Sequence, residues 1–207
     1  MYCLVDVETT GLTAQDKLLE VAYVLWDTTR VIEVGSFLGD CTGIPSAITE
    51  INGIRNGMRS GVLPIERLNG FDFPFIAHNA PFDRGFLERA GLDEKEWIDT
   101  SVDIPYPAYI KTRKLTHLCA ELGIPTNGAH CAVYDCLMML EILKKFDIEE
   151  VRRISKLPAR TIYSLTTYEE RELPRSHGFR WDAEIKRWVK KTKAIEHYPF
   201  KVVYESP

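Results

Sequence analysis

Two carboxylates stand in a strand that otherwise reads as buried. In LVDVETTGL, residues 4 to 12, Leu4, Val5 and Val7 favour a strand, and Thr9-Thr10-Gly11 ends it. Side chains alternate along a strand, so Asp6 and Glu8 point to the same face. Unpaired there, the two acids would repel each other and lose their hydration. A cation is the natural compensation. AHNAPFD (77 to 83) runs from a strand into a helix whose first turn holds Asp83. HCAVYD (130 to 135) puts His130 and Asp135 on or just before another helix. If Asp6, Glu8, Asp83 and Asp135 converge, they supply the oxygen ligands that Mg²⁺ prefers. Two ions about 4 Å apart clamp the attacking and leaving oxygens of a phosphodiester. A histidine titrating near neutrality suits deprotonation of the attacking water.

Each of these residues also has an ordinary reading. Asp83 can be an acid favoured by a helix N-terminus, His130 a cap or core histidine, and Asp135 a solvated helix position. Only their joint occurrence argues for chemistry. Asp99-Thr100 and His78 read as structural. Phe82 reads as core or as a flat platform for a base. Lys111, Arg113 and Lys114 read as an exposed basic helix start or as phosphate contacts.

The elements that must position these residues follow from the pattern. Residues 2 to 8, 18 to 27 and 30 to 39 read as strands, the last two joined as a hairpin. Residues 44 to 54 read as a short helix, with Ser46 as N-cap and Gly53 as stop. A weaker helix spans 58 to 70, and 73 to 78 is a short apolar strand. A helix at 80 to 91, a brief strand at 97 to 100 and helices at 114 to 124 and 130 to 146 complete the body. Strands alternating with helices imply an α/β fold, a mixed sheet with helices on both faces.

The 207 residues fit one such domain plus a small appendage. No apolar run approaches the ~20 residues of a membrane span. MYCLVDVE enters a strand directly, without a signal-peptide pattern, so the expected location is cytoplasmic. Five cysteines without a C-x-x-C motif read as reduced thiols rather than disulfides or a zinc site. Residues 1 to 151 carry 13 Lys/Arg and 23 Asp/Glu, hence −10, whereas 152 to 207 carry 13 and 7, hence +6. The composition shift near Arg152 to Pro158 suggests a body over 1–151 and a basic module over 155–207. An acidic body argues against nucleic-acid binding by bulk charge, but not against binding through metal ions and local contacts.

The motifs D-x-E-T-T-G-L, A-H-N-A-x-F-D and H-x-A-x-x-D together resemble the DEDDh family of 3′→5′ exonucleases, with its ribonuclease H-like fold. The segments ITEINGI (48 to 54), KTRKL (111 to 115) and AVYDC (132 to 136) are most similar to its exodeoxyribonuclease X subfamily. The resemblance covers residues 2 to 145. It implies a five-stranded mixed sheet, two Mg²⁺ or Mn²⁺ ions held by Asp6, Glu8, Asp83 and Asp135, and His130 as general base. It further implies that Thr9, Thr10, Gly11 and Leu12 receive the 3′-terminal nucleotide, with backbone N–H groups on its 3′-hydroxyl and phosphate and Leu12 wedged against the base. Asn79 and Phe82 would line the next nucleotide. The expected activity is metal-dependent release of nucleoside 5′-monophosphates from DNA 3′ ends, single-stranded or frayed. RNA trimming, a polymerase proofreading subunit and a non-catalytic protein that holds nucleic-acid ends stay open, as does a homodimer.

The resemblance fails in the tail. TIYSLTTY reads as a strand, EERELPRSHG as a short helix, and 177 to 193 as a hairpin, giving a small α+β module. Its aromatics, interleaved with Arg180, Lys186, Arg187, Lys190 and Lys191, suit stacking and phosphate contacts. They suit a tiny tryptophan core equally well.

Overall fold

The structure, a computed structural model, describes residues 1–58, 61–107, 109–110, 112–193 and 198–205. Lys111, a candidate phosphate contact, lies outside the described residues. Strand β1 (Tyr2–Thr9) forms the centre of a five-stranded sheet of order β3-β2-β1-β4-β5. Strands β2 (Leu18–Trp26) and β3 (Val31–Leu38) make the predicted antiparallel hairpin. Strands β4 (Phe75–Ala77) and β5 (Trp97–Asp99) run parallel to β1. The C-terminal ends of β1, β4 and β5 therefore share one edge of the sheet.

Alternation along β1 feeds two cores. Leu4, Ala22, Val24 and Ile76 pack on one face with Leu118, Met139 and Ile142. The last three come from α4 (Leu115–Glu121) and α5 (Ala132–Leu143). Cys3, Val5, Val21 and Phe75 pack on the other face with Phe86 and Leu87 of α3 (Ala80–Arg89). The mixed sheet with helices on both faces is as expected. All five cysteines are free thiols, and Cys131 alone of them is half-buried.

Several boundaries differ from expectation for local reasons. Helix α1 (Ser46–Asn52) ends at Gly53, which is left-handed at φ 74°. Ser46 is its first residue rather than its cap, because Pro45 takes the N-cap position. The helix expected over 58–70 shrinks to α2 (Ile65–Asn69). The Gly61 N–H is held by the Leu38 carbonyl at the end of β3, so the approach to α2 runs along the sheet. Helix α5 starts two residues later than expected because His130 is left-handed, φ 65°.

The expected composition break is occupied by a helix, α6 (Ile148–Ser155), whose Val151 and Ile154 are buried. Beyond it lies a second sheet of order β7-β8-β6-β9. It comprises β6 (Arg160–Ser164), β7 (Arg180–Asp182), β8 (Arg187–Thr192) and β9 (Val202–Tyr204), with the short α7 (Glu172–Ser176) between β6 and β7. Its core is Ile162, Phe179 and Trp188, ringed by Tyr198, Phe200 and Val202. Trp181 stands edge-on to Trp188 at 5.4 Å and stays 38% exposed. Among the described residues, no helix is long and apolar enough to cross a membrane.

Leu4 is fully buried on the central strand. Leu4→Ala is expected to lower the unfolding free energy by about 2–5 kcal/mol. Urea denaturation measures this, and an unchanged midpoint would show that this face is not the core.

Candidate active site

Asp6 and Glu8 emerge side by side near the C-terminal end of β1. The β1–β2 register slips between Glu8 and Thr9, and such an irregularity re-aims neighbouring side chains. Asp135 arrives from the first turn of α5. One carboxylate oxygen each of Asp6, Glu8 and Asp135 lie within 4.8 Å of one another. Asp83, in the first turn of α3, adjoins Asp6 of this trio but is not one of the three. It is 2% exposed, and its Oδ1 accepts a hydrogen bond from the Val7 N–H at 3.1 Å.

Burial and mutual repulsion set the electrostatics. Burial first, then the charges of Asp83, Asp135 and Glu8, hold Asp6 well above the usual carboxylate range. Burial pushes Glu8 up to about 7, against a hydrogen bond from Asn52. Burial pushes Asp135 up to about 6, while His130 pulls it down. Asp83 is raised by burial too, and the Val7 N–H opposes this. The N-terminal ends of α3 and α5 both face the acids and favour negative charge there.

These residues fit a divalent cation. The donors are all hard oxygens, and the buried Asp135 Oδ1 has no hydrogen-bond partner among the described residues. Metal-free, the cluster is a strain on the fold. With an ion, the same oxygens become ligands.

His130 sits exposed on the lip of the site, in the turn before α5. Its left-handed backbone is unusual for histidine, and Asn79 is left-handed as well at φ 66°. These are the two non-glycine left-handed residues beside the acids. Asp99 explains Asn79. Its Oδ1 accepts from the Asn79 N–H at 2.9 Å, and its Oδ2 accepts from the Ala80 N–H at 3.1 Å. Asp99 thus caps α3 and fixes Asp83, a structural role in line with expectation. His78 is structural as well, with Nδ1 2.9 Å from Thr100 Oγ1 and Nε2 2.6 Å from the Arg113 carbonyl.

The turn after β1 is tightly ordered. The Thr9 hydroxyl donates to the Gly11 carbonyl at 2.5 Å. Asp16 accepts from the Thr10 hydroxyl, the Thr13 N–H and the Thr13 hydroxyl. A Cβ on Gly11 would meet Asp16 Oδ1 at 2.5 Å, so a larger residue there would push the Asp16 carboxylate out of its bonds to Thr10 and Thr13. The Thr10 N–H is taken by the Lys17 carbonyl at 2.9 Å. Leu12 projects outward, 86% exposed. Asn79 is exposed, whereas Phe82 is half-buried and leans on Phe86 at 5.0 Å.

Three neighbours escaped the sequence reading. Asn52 Nδ2 donates to Glu8 Oε2 at 3.1 Å. Asp16 is the second. Glu20, 6% exposed, lies opposite Glu8 across the β1–β2 pair and adds a further buried charge beside the site. The signal for Glu20 was present, since it interrupts the apolar run LLEVAYVLW as Asp6 and Glu8 interrupt theirs.

This fold and acid cluster match known proteins. The chain belongs to the Exonuclease family (RNase_T), whose model matches residues 4–143. Among its relatives, "DNA polymerase III PolC-type" of Clostridium perfringens is 30% identical over 75% of this chain and 12% of that protein. The "3'-5' exonuclease DinG" of Bacillus subtilis is 31% identical over 75% of this chain and 19% of that protein. The chain thus spans less than a fifth of these relatives. Of solved structures, Exonuclease X in complex with 5′ overhanging duplex DNA superposes with a TM-score of 0.57 at 24% identity. That match covers 75% of this chain and 99% of that one, and confirms the fold. A zinc-bound E. coli ExoI–ssDNA complex gives 0.58 at 17% identity, covering 79% of this chain and 47% of that one.

A carboxyl whose folded pKa is raised contributes stability that is full below its unfolded pKa and is lost as pH rises through the folded one. Metal-free protein should therefore lose stability up to about pH 6 through Asp135 and about pH 7 through Glu8. His78, whose pKa burial lowers, opposes part of this trend below about pH 6.5. Melting curves of wild type and Glu8→Gln in EDTA isolate the Glu8 share. The variant should show a shallower decline, and Mg²⁺ should stabilise the wild type more at pH 8 than at pH 5. Parallel curves for the two proteins would refute the assignment.

Proposed function

We propose that this chain is a metal-dependent 3′→5′ exodeoxyribonuclease that releases nucleoside 5′-monophosphates. The observation that carries this is the convergence of the Asp6, Glu8 and Asp135 oxygens within 4.8 Å, beside buried Asp83, in an Exonuclease-family chain. Asp6, Glu8 and Asp135, with Asp83 behind them, would hold two Mg²⁺ or Mn²⁺ ions. Bound there, such ions lower the pKa of water and stabilise charge on the attacking and leaving oxygens.

The chain's own groups do the rest. His130, on the lip, takes the proton of the attacking water. The ordered Thr9–Leu12 turn seats the terminal nucleotide, with Leu12 against its base. Asn79 and Phe82 flank the next nucleotide, Phe82 by one face of a ring whose other contacts are core. Residues 155–207 add affinity for the substrate through their positive charge.

A polymerase-proofreading role is the second reading, favoured by the PolC-type relative. RNA as substrate shares the same geometry at the acids.

The test is a gel assay with 5′-labelled single-stranded DNA and RNA, with Mg²⁺, with EDTA, and with Asp6→Asn. A DNA ladder shrinking from the 3′ end is expected, abolished by EDTA. Metal stabilisation is worth several kcal/mol and each 1.36 kcal/mol is tenfold, so Asp6→Asn should lose about 10²-fold or more in rate. A stronger ladder on RNA would move the chain to RNA trimming. Binding without cutting of either polymer would sink the enzymatic reading.

A further inference from the structure

A cleft of about 1210 Å³ opens between the loop after β5 and the C-terminal sheet. Small-molecule sites hold roughly 300–1,000 Å³, so this one is large for a metabolite. Its place follows from topology. The acids lie at the C-terminal ends of β1 and β4, and β5 is the next strand along that edge. Both ends of the loop after β5 are tied to the site, because His78 bonds Thr100 with one ring nitrogen and the Arg113 carbonyl with the other. The cleft is therefore the next feature that a strand leaving the acids across β4 would meet.

The far wall is held at a fixed distance. Lys193 forms an ion pair with Asp103 at 2.9 Å and donates to the Ser155 carbonyl at 2.9 Å. Asp103 is 1% exposed, so this contact is buried and short rather than a surface pairing. Its Oδ2 also accepts the Asp99 N–H at 2.8 Å, and Asp99 caps the helix that carries Asp83.

The register gives that wall its chemistry. Arg180 pairs with Val189, Val189 with Tyr163, and Lys191 with Thr161, so Arg180, Lys191 and Tyr163 share one face of the sheet. Lys193, just beyond the end of β8, reaches the body through its pair with Asp103. Arg180 and Lys191 are exposed and line the cleft. Arg113 lines the opposite wall, with its guanidinium over the Tyr106 ring at 4.8 Å. Val102, 46% exposed, gives that wall an apolar patch. The acids on the lining are Asp182 and Glu184, against Arg113, Arg180, Lys190 and Lys191. Trp188 is core, and Trp181, which lines the cleft, leans on it edge-on.

We infer that this cleft is the track of a single DNA strand whose 3′ end lies at the acids, with Arg180 and Lys191 on its phosphates. The inference rests on the exonuclease reading for the direction of the strand. A polyanion suits the exposed Arg180 and Lys191, and an acidic body leaves few other surfaces to hold one. Phosphate contacts without base readout make the track tolerant of sequence.

The test uses the full chain and 5′-fluorescent oligothymidylates of three to about twenty nucleotides, in EDTA so that nothing is cut. Wild-type affinity should rise with length and then level off. Arg180→Glu/Lys191→Glu should bind the trinucleotide as wild type does and the long strand at least tenfold more weakly. Its slope of log K against log salt should be shallower by about 1.4, or about 0.7 for each lost contact with a single strand. Both residues are exposed, so an unchanged melting temperature is expected. Arg30→Glu, on the distant β2–β3 turn, makes half that change in net charge and controls for its effect per reversed residue. Long-strand binding and salt slope equal to wild type, or an equal loss with Arg30→Glu, would overturn the track. Hydrolysis of the p-nitrophenyl ester of thymidine 5′-monophosphate reads the acids alone and should be the same in the variant. If wild type fails to hydrolyse it while the length effect appears, the exonuclease reading and the direction of the strand fall, and the binding track itself stands.

Discussion

Like charge held out of water is the constraint around which this molecule is arranged. Asp6, Glu8, Asp83, Asp135 and Glu20 crowd one end of the sheet, and burial first, then neighbouring charge, raises the pKa of the first four. Such a cluster survives only where the backbone around it cannot yield. β1 is the right place, because it is paired on both sides and its apolar residues fill two cores. The helices supply the other compensation. α3 and α5 each start at the cluster, and each brings an acid in its first turn. The N-terminal dipoles reduce the repulsion without removing it. What remains unbalanced is affinity for a cation.

The same economy of contacts explains why apparently peripheral acids matter. Asp99 does not touch the trio, yet it fixes the start of α3 through two backbone N–H groups. Asp103 in turn fixes Asp99, and Lys193 of the C-terminal sheet fixes Asp103. Three residues, Asp99, Asp103 and Lys193, thus link the position of Asp83 to the docking of a separate sheet. Removing one partner of a buried ion pair leaves the other uncompensated, so this link is costly to break.

The body's architecture was legible because its signals are long and periodic. β1, the hairpin, α3 and α5 each show a pattern that one period explains. The acids were legible because an ionisable residue inside an apolar run has no structural excuse. Glu20 carried that same signal, but its strand lacked a second acid to draw notice. Asn52 and Asp16 were not legible, since each acts by a single hydrogen bond over a distance that no local pattern encodes. Helix α6 was hidden by its charge. IEEVRRIS reads as a solvated linker unless Asp147 is recognised as its cap, accepting from the Glu149 N–H. Strand β9, three residues on a sheet edge, has too little sequence to show a period.

The contrast in charge between body and tail has a geometric consequence. At physiological salt a charge is screened beyond about 8 Å, so the −10 of residues 1–151 does not repel a strand as a whole. It repels wherever the strand comes close. A chain that draws an anionic polymer toward a cluster of acids needs cations within that distance of the path, not elsewhere on its surface. Arg113 from the body and Arg180 and Lys191 from the second sheet stand on facing walls of one cleft. The ion pair between Lys193 and Asp103 keeps those walls together, and the acid it neutralises belongs to the loop that the strand would cross. Docking the sheet therefore removes a negative charge from the path and adds positive ones beside it.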